Sequence, residues 1–372
     1  MRNLLGSLFY LAFASMFSNE LCAWAQSNEA KLFLAGPTQV AVSKPIVISN
    51  DGVTDAEGDF FAWPAIVDAQ LLGEQTDAFQ QTREMVGEPL FRIDHRLRMA
   101  EWSGLEQLAN GLVTVEFSEA SGNLARVRLA ALHGCLHTRQ YEAAASQLLN
   151  LYGVPRLNEV AREYPKLITS PDELQNGFCE NLLPMFFDRA TAGILVAKNK
   201  ATWLKQLPEW RWGSQLYFAA LLLAAEEFQE AQVVIDKWDE AISPELREWK
   251  QVLSAQIEID NGRFGMHAIA LERQLPKLNG PAKLCGQYCL AQAHAMRAKT
   301  ESQYRQALLR LLEVAAFNRQ RYHQLAAGSL NQAIVLANDR GWEFERDRLK
   351  TELLKNHPDT YHGRRLLRER DE

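Results

Sequence analysis

Two histidines four residues apart, His133 and His137, share one face of a predicted helix, with Cys135 between them. Imidazoles at that spacing can hold a zinc ion together. Cys135 points away from that face and no third ligand stands nearby. The plainer reading is an ordinary helix face in which Cys135 is a small apolar residue. Cys285 and Cys289 are also four apart, and His294 follows them. With Cys135 and Cys179 they allow two disulfides in three connectivities in an exported chain. Side chains four apart on a helix run nearly parallel and rarely bridge each other. Small core residues at a tight helix crossing are therefore favoured, and the oxidation state of all four cysteines is left open.

Three further groupings carry a chemical alternative. Asp51, Asp55, Glu57 and Asp59 form an acidic, glycine-containing loop. Calcium takes oxygen ligands from such loops, but the spacing lacks the EF-hand alternation and a solvated loop is the default. Arg364, Arg365, Arg368 and Arg370 make a basic end, tempered by Glu369, Asp371 and Glu372, and cations suit a helix C-terminus. Trp203, Trp210 and Trp212 cluster around Pro208. Aromatic clusters can stack sugars or anchor partners, though they more often close the apolar end of a helix pair. There is no H-E-x-x-H helix, G-x-S-x-G elbow, Walker-type Gly-Lys-Ser/Thr loop or G-x-G-x-x-G turn. No catalytic, cofactor-binding or metal-binding residue is assigned, and the expectation is a protein that is not an enzyme and uses no cofactor.

The elements that would position these residues follow from composition and pattern. The chain has 372 residues, 47% hydrophobic and 23% charged, which excludes a wholly disordered polymer. That length predicts two or three ordinary domains or one extended array. Forty Lys and Arg against 46 Asp and Glu give a net charge of −6, which argues against a nucleic-acid protein working by bulk electrostatics.

The first 25 residues read as a secretory signal peptide. Arg2 is followed by an apolar stretch from Leu4 to Phe17, and Ala23-Trp24-Ala25 is the small-x-small pattern cut after Ala25. An uncleaved N-terminal anchor is the alternative. A lipoprotein is disfavoured because Leu21, not a small residue, precedes Cys22. Nothing later approaches 18 consecutive apolar residues, so no transmembrane segment is expected after cleavage and the location is secreted or periplasmic.

Residues 26–75 read as an irregular, β-prone N-terminal arm. The run Val40–Ile48 is broken by Pro45, Asn50-Asp51-Gly52 is a strong turn, and Phe60 to Leu72 is a possible first helix with Pro64 near its start. Residues 76–362 are helical in texture, rich in Ala, Leu, Gln, Glu and Arg, with apolar residues at three- and four-residue steps. Leu112–Phe117 alone alternates with period two. Residues 363–372 read as a charged tail.

A repeat emerges when predicted helix-to-helix turns are aligned. Aromatic anchors sit at Trp102, Tyr141, Phe228, Phe264, Tyr304 and Trp342, separated by 39, 87, 36, 40 and 38 residues, the long gap being close to two periods. Periods of this size signal stacked helical hairpins. Tyr141/Ala144, Phe228/Ala231 and Tyr304/Ala307 place a small residue three positions after the ring. In this the chain resembles a divergent tetratricopeptide-repeat protein. The ring fills the wedge between two helices and the alanine lets them approach. The fold class expected is all-α, an α-solenoid of stacked antiparallel hairpins behind the short arm, with a generic helical bundle as the alternative. The resemblance implies a scaffold that binds protein partners on a long surface, with no role for nucleic acid. A cell-envelope hydrolase with a helical body, or a structural part of an envelope assembly, are the other readings.

Overall fold

The computed structural model describes residues 30–371, apart from 36–37, 72, 74 and 239–243. The proposed signal peptide and its cleavage point lie outside the described residues. Of the described residues 66% are helical, with an antiparallel β region near the N-terminus. Six strands come first: β1 Ala30–Leu34, β2 Gln39–Val42, β3 Val47–Ile48, β4 Gly52–Thr54, β5 Phe60–Ala62 and β6 Ile66–Gln70. The helices that follow are α1 Gln75–Thr82, α2 Glu88–Met99, α3 Leu105–Asn110, α4 Asn123–His137, α5 Tyr141–Asn150, α6 Leu157–Arg162, α7 Pro171–Gln175, α8 Arg189–Gln206 and α9 Trp212–Ala224. They continue as α10 Phe228–Asp236, α11 Pro244–Asp260, α12 Met266–Gln274, α13 Gly280–Arg297, α14 Glu301–Asn318, α15 His323–Asp339, α16 Glu343–Asn356 and α17 Tyr361–Asp371.

By internal contacts the chain divides into two units: residues up to His95 with Leu112–Asn123, and Arg96–Gly111 with Leu124 onward. In the first unit the strands make two three-stranded antiparallel sheets, ordered β2-β1-β6 and β3-β4-β5. The Asn50-Asp51-Gly52 turn does join a hairpin, with Ile48 opposite Val53. Two expectations are corrected here. Residues 60–70 are two strands around a short 3-10 turn at Trp63–Ala65 that contains Pro64, and not a first helix. Phe60, Phe61, Ile66 and Val67 are strand formers, and partners already exist for them: Val53 pairs with Phe61 and Leu32 with Ala69. Leu112–Phe117, in contrast, has no ladder. Polar contacts hold it instead, Asn50 Nδ2 donating to Glu116 O (3.0 Å) and Ser118 N donating to the Asp51 carboxylate (2.8 Å). Trp63 centres this unit's core. It is fully buried, lies 5.4 Å from the Phe79 ring, and donates its Nε1–H to Ser49 O (2.9 Å).

In the second unit each of the six aromatic anchors stands at or within four residues of the start of the following helix, α3, α5, α10, α12, α14 or α16. The alanines that follow three of them, Ala144, Ala231 and Ala307, are buried at 0%, 0% and 1% exposure, so the helices do close tightly there. The rings themselves are half-buried, and two carry a cation from the end of a later helix. Arg297 lies over Phe264 (4.2 Å to the ring centroid) and Arg340 over Tyr304 (4.4 Å). Helices joined by these turns pack side by side: α9 with α10, α11 with α12, α13 with α14, α15 with α16. The odd-numbered helices also touch next-but-one along the chain, α9 to α11, α11 to α13, α13 to α15 and α15 to α17.

The C-terminal segment is a third correction. Residues expected as a charged tail belong to α17, whose Leu366 packs on a core cluster with Leu353, Leu330 and Ile334. Gly363 lets the helix approach the chain behind it, since a Cβ there would stand 2.1 Å from His357 O. The arginine run concealed a helix that packs because Leu366, half-buried among the charges, meets the core cluster.

Candidate functional site

The motifs flagged in the sequence mostly resolve into core. His133 is fully buried and stacks on Trp102 at 5.2 Å, with no partner for either ring nitrogen. Burial pushes its pKa down to about 3. His137 is exposed, and Cys135 is buried with its thiol pushed up to about 12 by desolvation. Cys285 and Cys289 are fully buried free thiols, raised by the same cause, and Cys179 is raised to about 11. Cys135 and Cys179 are likewise unbridged. His294 stands 3.7 Å from Glu272, and burial lowers its pKa. Among the described residues no three His, Cys, Asp or Glu side chains converge as a metal site.

Asp55 binds its own loop, whereas Asp51 reaches the distant segment at Ser118. The Asp51 carboxylate receives Ser118 N, and Asp55 Oδ1 receives Glu57 N (3.0 Å) and Asp59 N (2.9 Å). Trp203 and Trp210 are buried edge-on against Phe218 at 5.8 and 5.6 Å, and Trp212 lies 4.9 Å from Phe178, so the tryptophans close a hydrophobic helix end. Arg364 donates to Asp359 O (2.6 Å) and Arg365 to Asn331 Oδ1 (3.0 Å), which ties α17 down.

Two clefts on the odd helices have a different character. One, of about 360 Å³, is walled by Phe186, Glu226, Gln256, Asp260, Tyr288 and His362. The other, of about 540 Å³, is walled by Asp260, Gln292, Tyr304, Gln332, Asp339 and Arg340. Asp260, Gln292 and Gln332 line both. One glutamine comes from each of α11, α13 and α15, so three helices that touch next-but-one along the chain place an amide along a single polar strip.

The strip is wired from one side only. Cys289 donates its thiol hydrogen to Gln256 Oε1 (3.0 Å), and Gln256 Nε2 donates to Asp260 Oδ1 (2.6 Å). The Tyr288 ring is buried and packs edge-to-face with Phe186 at 4.8 Å, and its hydroxyl lies near the Gln332 side chain. Gln292 is only 9% exposed, and its Oε1 has no partner. Asp260 is exposed to the water of the clefts, with Glu226 and the cleft walls close by. Desolvation by those walls pushes its carboxyl up to about 6, against the Gln256 hydrogen bond and with help from Glu226. Glu226 is paired to Arg189 (2.5 Å). His362 is held neutral, lowered to about 4 by burial and the nearby Arg365.

Gln256, Asp260, Tyr288, Gln292 and Gln332 were not nominated from the sequence, whereas Cys289 was noted for its spacing from Cys285. One signal was there: Gln256, Gln292 and Gln332 are 36 and 40 residues apart, the same intervals that separate Phe228, Phe264 and Tyr304. Glutamine has no motif of its own, so only the period could have exposed it. No family model, curated protein or solved structure matches this chain. Among the described residues no helix is long and apolar enough to cross a membrane.

Proposed function

We propose that this chain is an exported, divergent tetratricopeptide-like solenoid that binds a segment of a protein partner along the strip formed by α11, α13 and α15. The observation that carries the reading is the repeated contribution to one lining: consecutive hairpins each supply a glutamine, and the two clefts they line meet at Asp260. The next-but-one contacts of the odd helices support the solenoid, because stacking of repeat units produces that pattern. The amide-rich lining suits an extended segment, whose backbone needs both donors and acceptors. Export rests on the pattern around Ala25, with the mature chain beginning at Gln26 in the periplasm or outside the cell.

The test is capture of partners from envelope extract by the mature chain, beside a variant with Gln256, Gln292 and Gln332 all changed to leucine. A partner enriched by the first and lost by the second supports the reading. Equal enrichment by both, or none by either, overturns it.

A second reading has one specific observation in its favour. Asp260 and Glu226 line the same cleft in different environments, one carboxyl raised and the other ion-paired. Pairs of that kind serve as acid and base in hydrolases. Turnover of an envelope polymer that disappears in both Asp260→Asn and Glu226→Gln would favour the hydrolase over the scaffold.

A further inference from the structure

The strip's unmet hydrogen bonds specify what should enter it. Gln256 is used at both ends, its oxygen by the Cys289 thiol and its nitrogen by Asp260. The buried atom left without any partner is an acceptor, Gln292 Oε1, and the Asp260 carboxylate that lines the same clefts receives Gln256 Nε2. A buried acceptor without a donor is costly, and a ligand that donates to it recovers that cost.

The charges around Asp260 point the same way. No cation among the described residues pairs with it. Facing the two clefts are Glu226 and Arg189, paired with each other, from the α9–α10 turn and the start of α8. Tyr288 and Cys289 come from α13, and Asp339 and Arg340 from the end of α15, the latter held over the Tyr304 ring. Tyr361 and the neutral His362 come from α17. The acids are therefore three against two arginines, and of the three only Glu226 is ion-paired, which leaves Asp260 and Asp339 as net negative charge along the clefts. Phe186 and Tyr288 supply aromatic walls beside it, which favour a flat or diffuse cation.

We propose that the Asp260–Gln292 strip recognises a cationic hydrogen-bond donor, a guanidinium or ammonium group, which bonds Gln292 Oε1 and the Asp260 carboxylate together. This deepens the scaffold reading and rests on it where the group is an Arg or Lys side chain of a partner. A free diamine carries the same chemistry. An Asp260 proton competes with the ligand, so binding weakens as pH falls through about 6.

The experiment is saturation-transfer NMR titration of the full mature chain at pH 7.5 with three probes: N-acetyl-arginine amide, cadaverine and N-acetyl-norleucine amide. The blocked arginine should bind and the norleucine should not. Asp260→Asn should weaken arginine binding about tenfold, the scale of one charge-assisted pair. Gln292→Glu, which adds an acceptor charge, should strengthen it, so a loss through misfolding is distinguishable from a loss of recognition. Binding of cadaverine with no binding of blocked arginine supports the cation site and assigns it to a free amine. Equal binding of arginine and norleucine, binding unchanged by Asp260→Asn, or no binding of either cation overturns the proposal. If the cations fail while a captured partner still needs the three glutamines, the inference falls and the scaffold reading stands.

Discussion

His133 on α4 and Gln292 on α13 both bury polar atoms that have no protein partner, yet their surroundings differ. His133 is sealed into a dry stack with Trp102, in a helix so close to its neighbour that a Cβ on Gly134 would lie 2.5 Å from the Glu106 backbone nitrogen. Gln292 lines two clefts, beside a carboxylate that their water reaches. An orphan atom in a sealed core is a stability liability with a pH signature. An orphan atom at a cleft wall is an offer to a ligand. The difference lies in packing: α4 is closed by backbone contact, whereas the Cβ of a residue at Gly286 on α13 would meet only flexible leucine methyls, the closest at 3.0 Å.

That comparison can be broken at several points. The largest effect should come from Gly134→Ala, which forces a methyl against backbone that cannot yield. Urea unfolding should show about 2–3 kcal/mol lost, and a neutral result would mean that α4 is not sealed. Next is His133→Phe. Its imidazole is lowered to about 3, so between that value and 6.5 the unfolded chain binds a proton that the folded chain does not. Stability is therefore unaffected above pH 6.5 and falls as pH drops below it. Changing His133 to Phe should remove about 2 kcal/mol of the loss measured between pH 7 and pH 5.

Asp260→Asn should act in the opposite sense. The folded-state carboxyl is raised to about 6, so its ionised form costs stability above that pH, and the cost is relieved as pH falls through 6. The asparagine variant should melt slightly above the parent at pH 7.5, with the gap narrowing by pH 5. A gain in stability beside a loss of binding is the mark of a functional position. The smallest effect should be Gly286→Ala, within about 1 kcal/mol of neutral, because helix propensity and a yielding leucine contact offset each other.

What the sequence made legible followed from period. Anchors 36 to 40 residues apart located the helix-to-helix turns, and the small residues after three of them were buried as the wedge argument required. The strands at 60–62 and 66–70 were missed because their partners lie 6 to 39 residues earlier, and such pairing overrides a local proline signal. Helix α17 was missed because four arginines outweighed Leu366 in a reading by composition. The site was missed for a different reason. His133, Cys135, Cys285 and Cys289 attracted notice by residue type, but residue type does not reveal whether a side chain meets a cavity or a core. Glutamine carries no such flag, and Asp260 acquires its raised carboxyl only from groups that folding brings to it.

The central claim is that the α11–α13–α15 strip is a recognition surface. The most direct measurement is hydrogen–deuterium exchange of the mature chain at pH 7.5, with and without N-acetyl-arginine amide. Slowed exchange confined to peptides covering 256–260, 288–296 and 332–340, and absent in Asp260→Asn, is the predicted result. No protection there, or equal protection around His133 on α4, would contradict it.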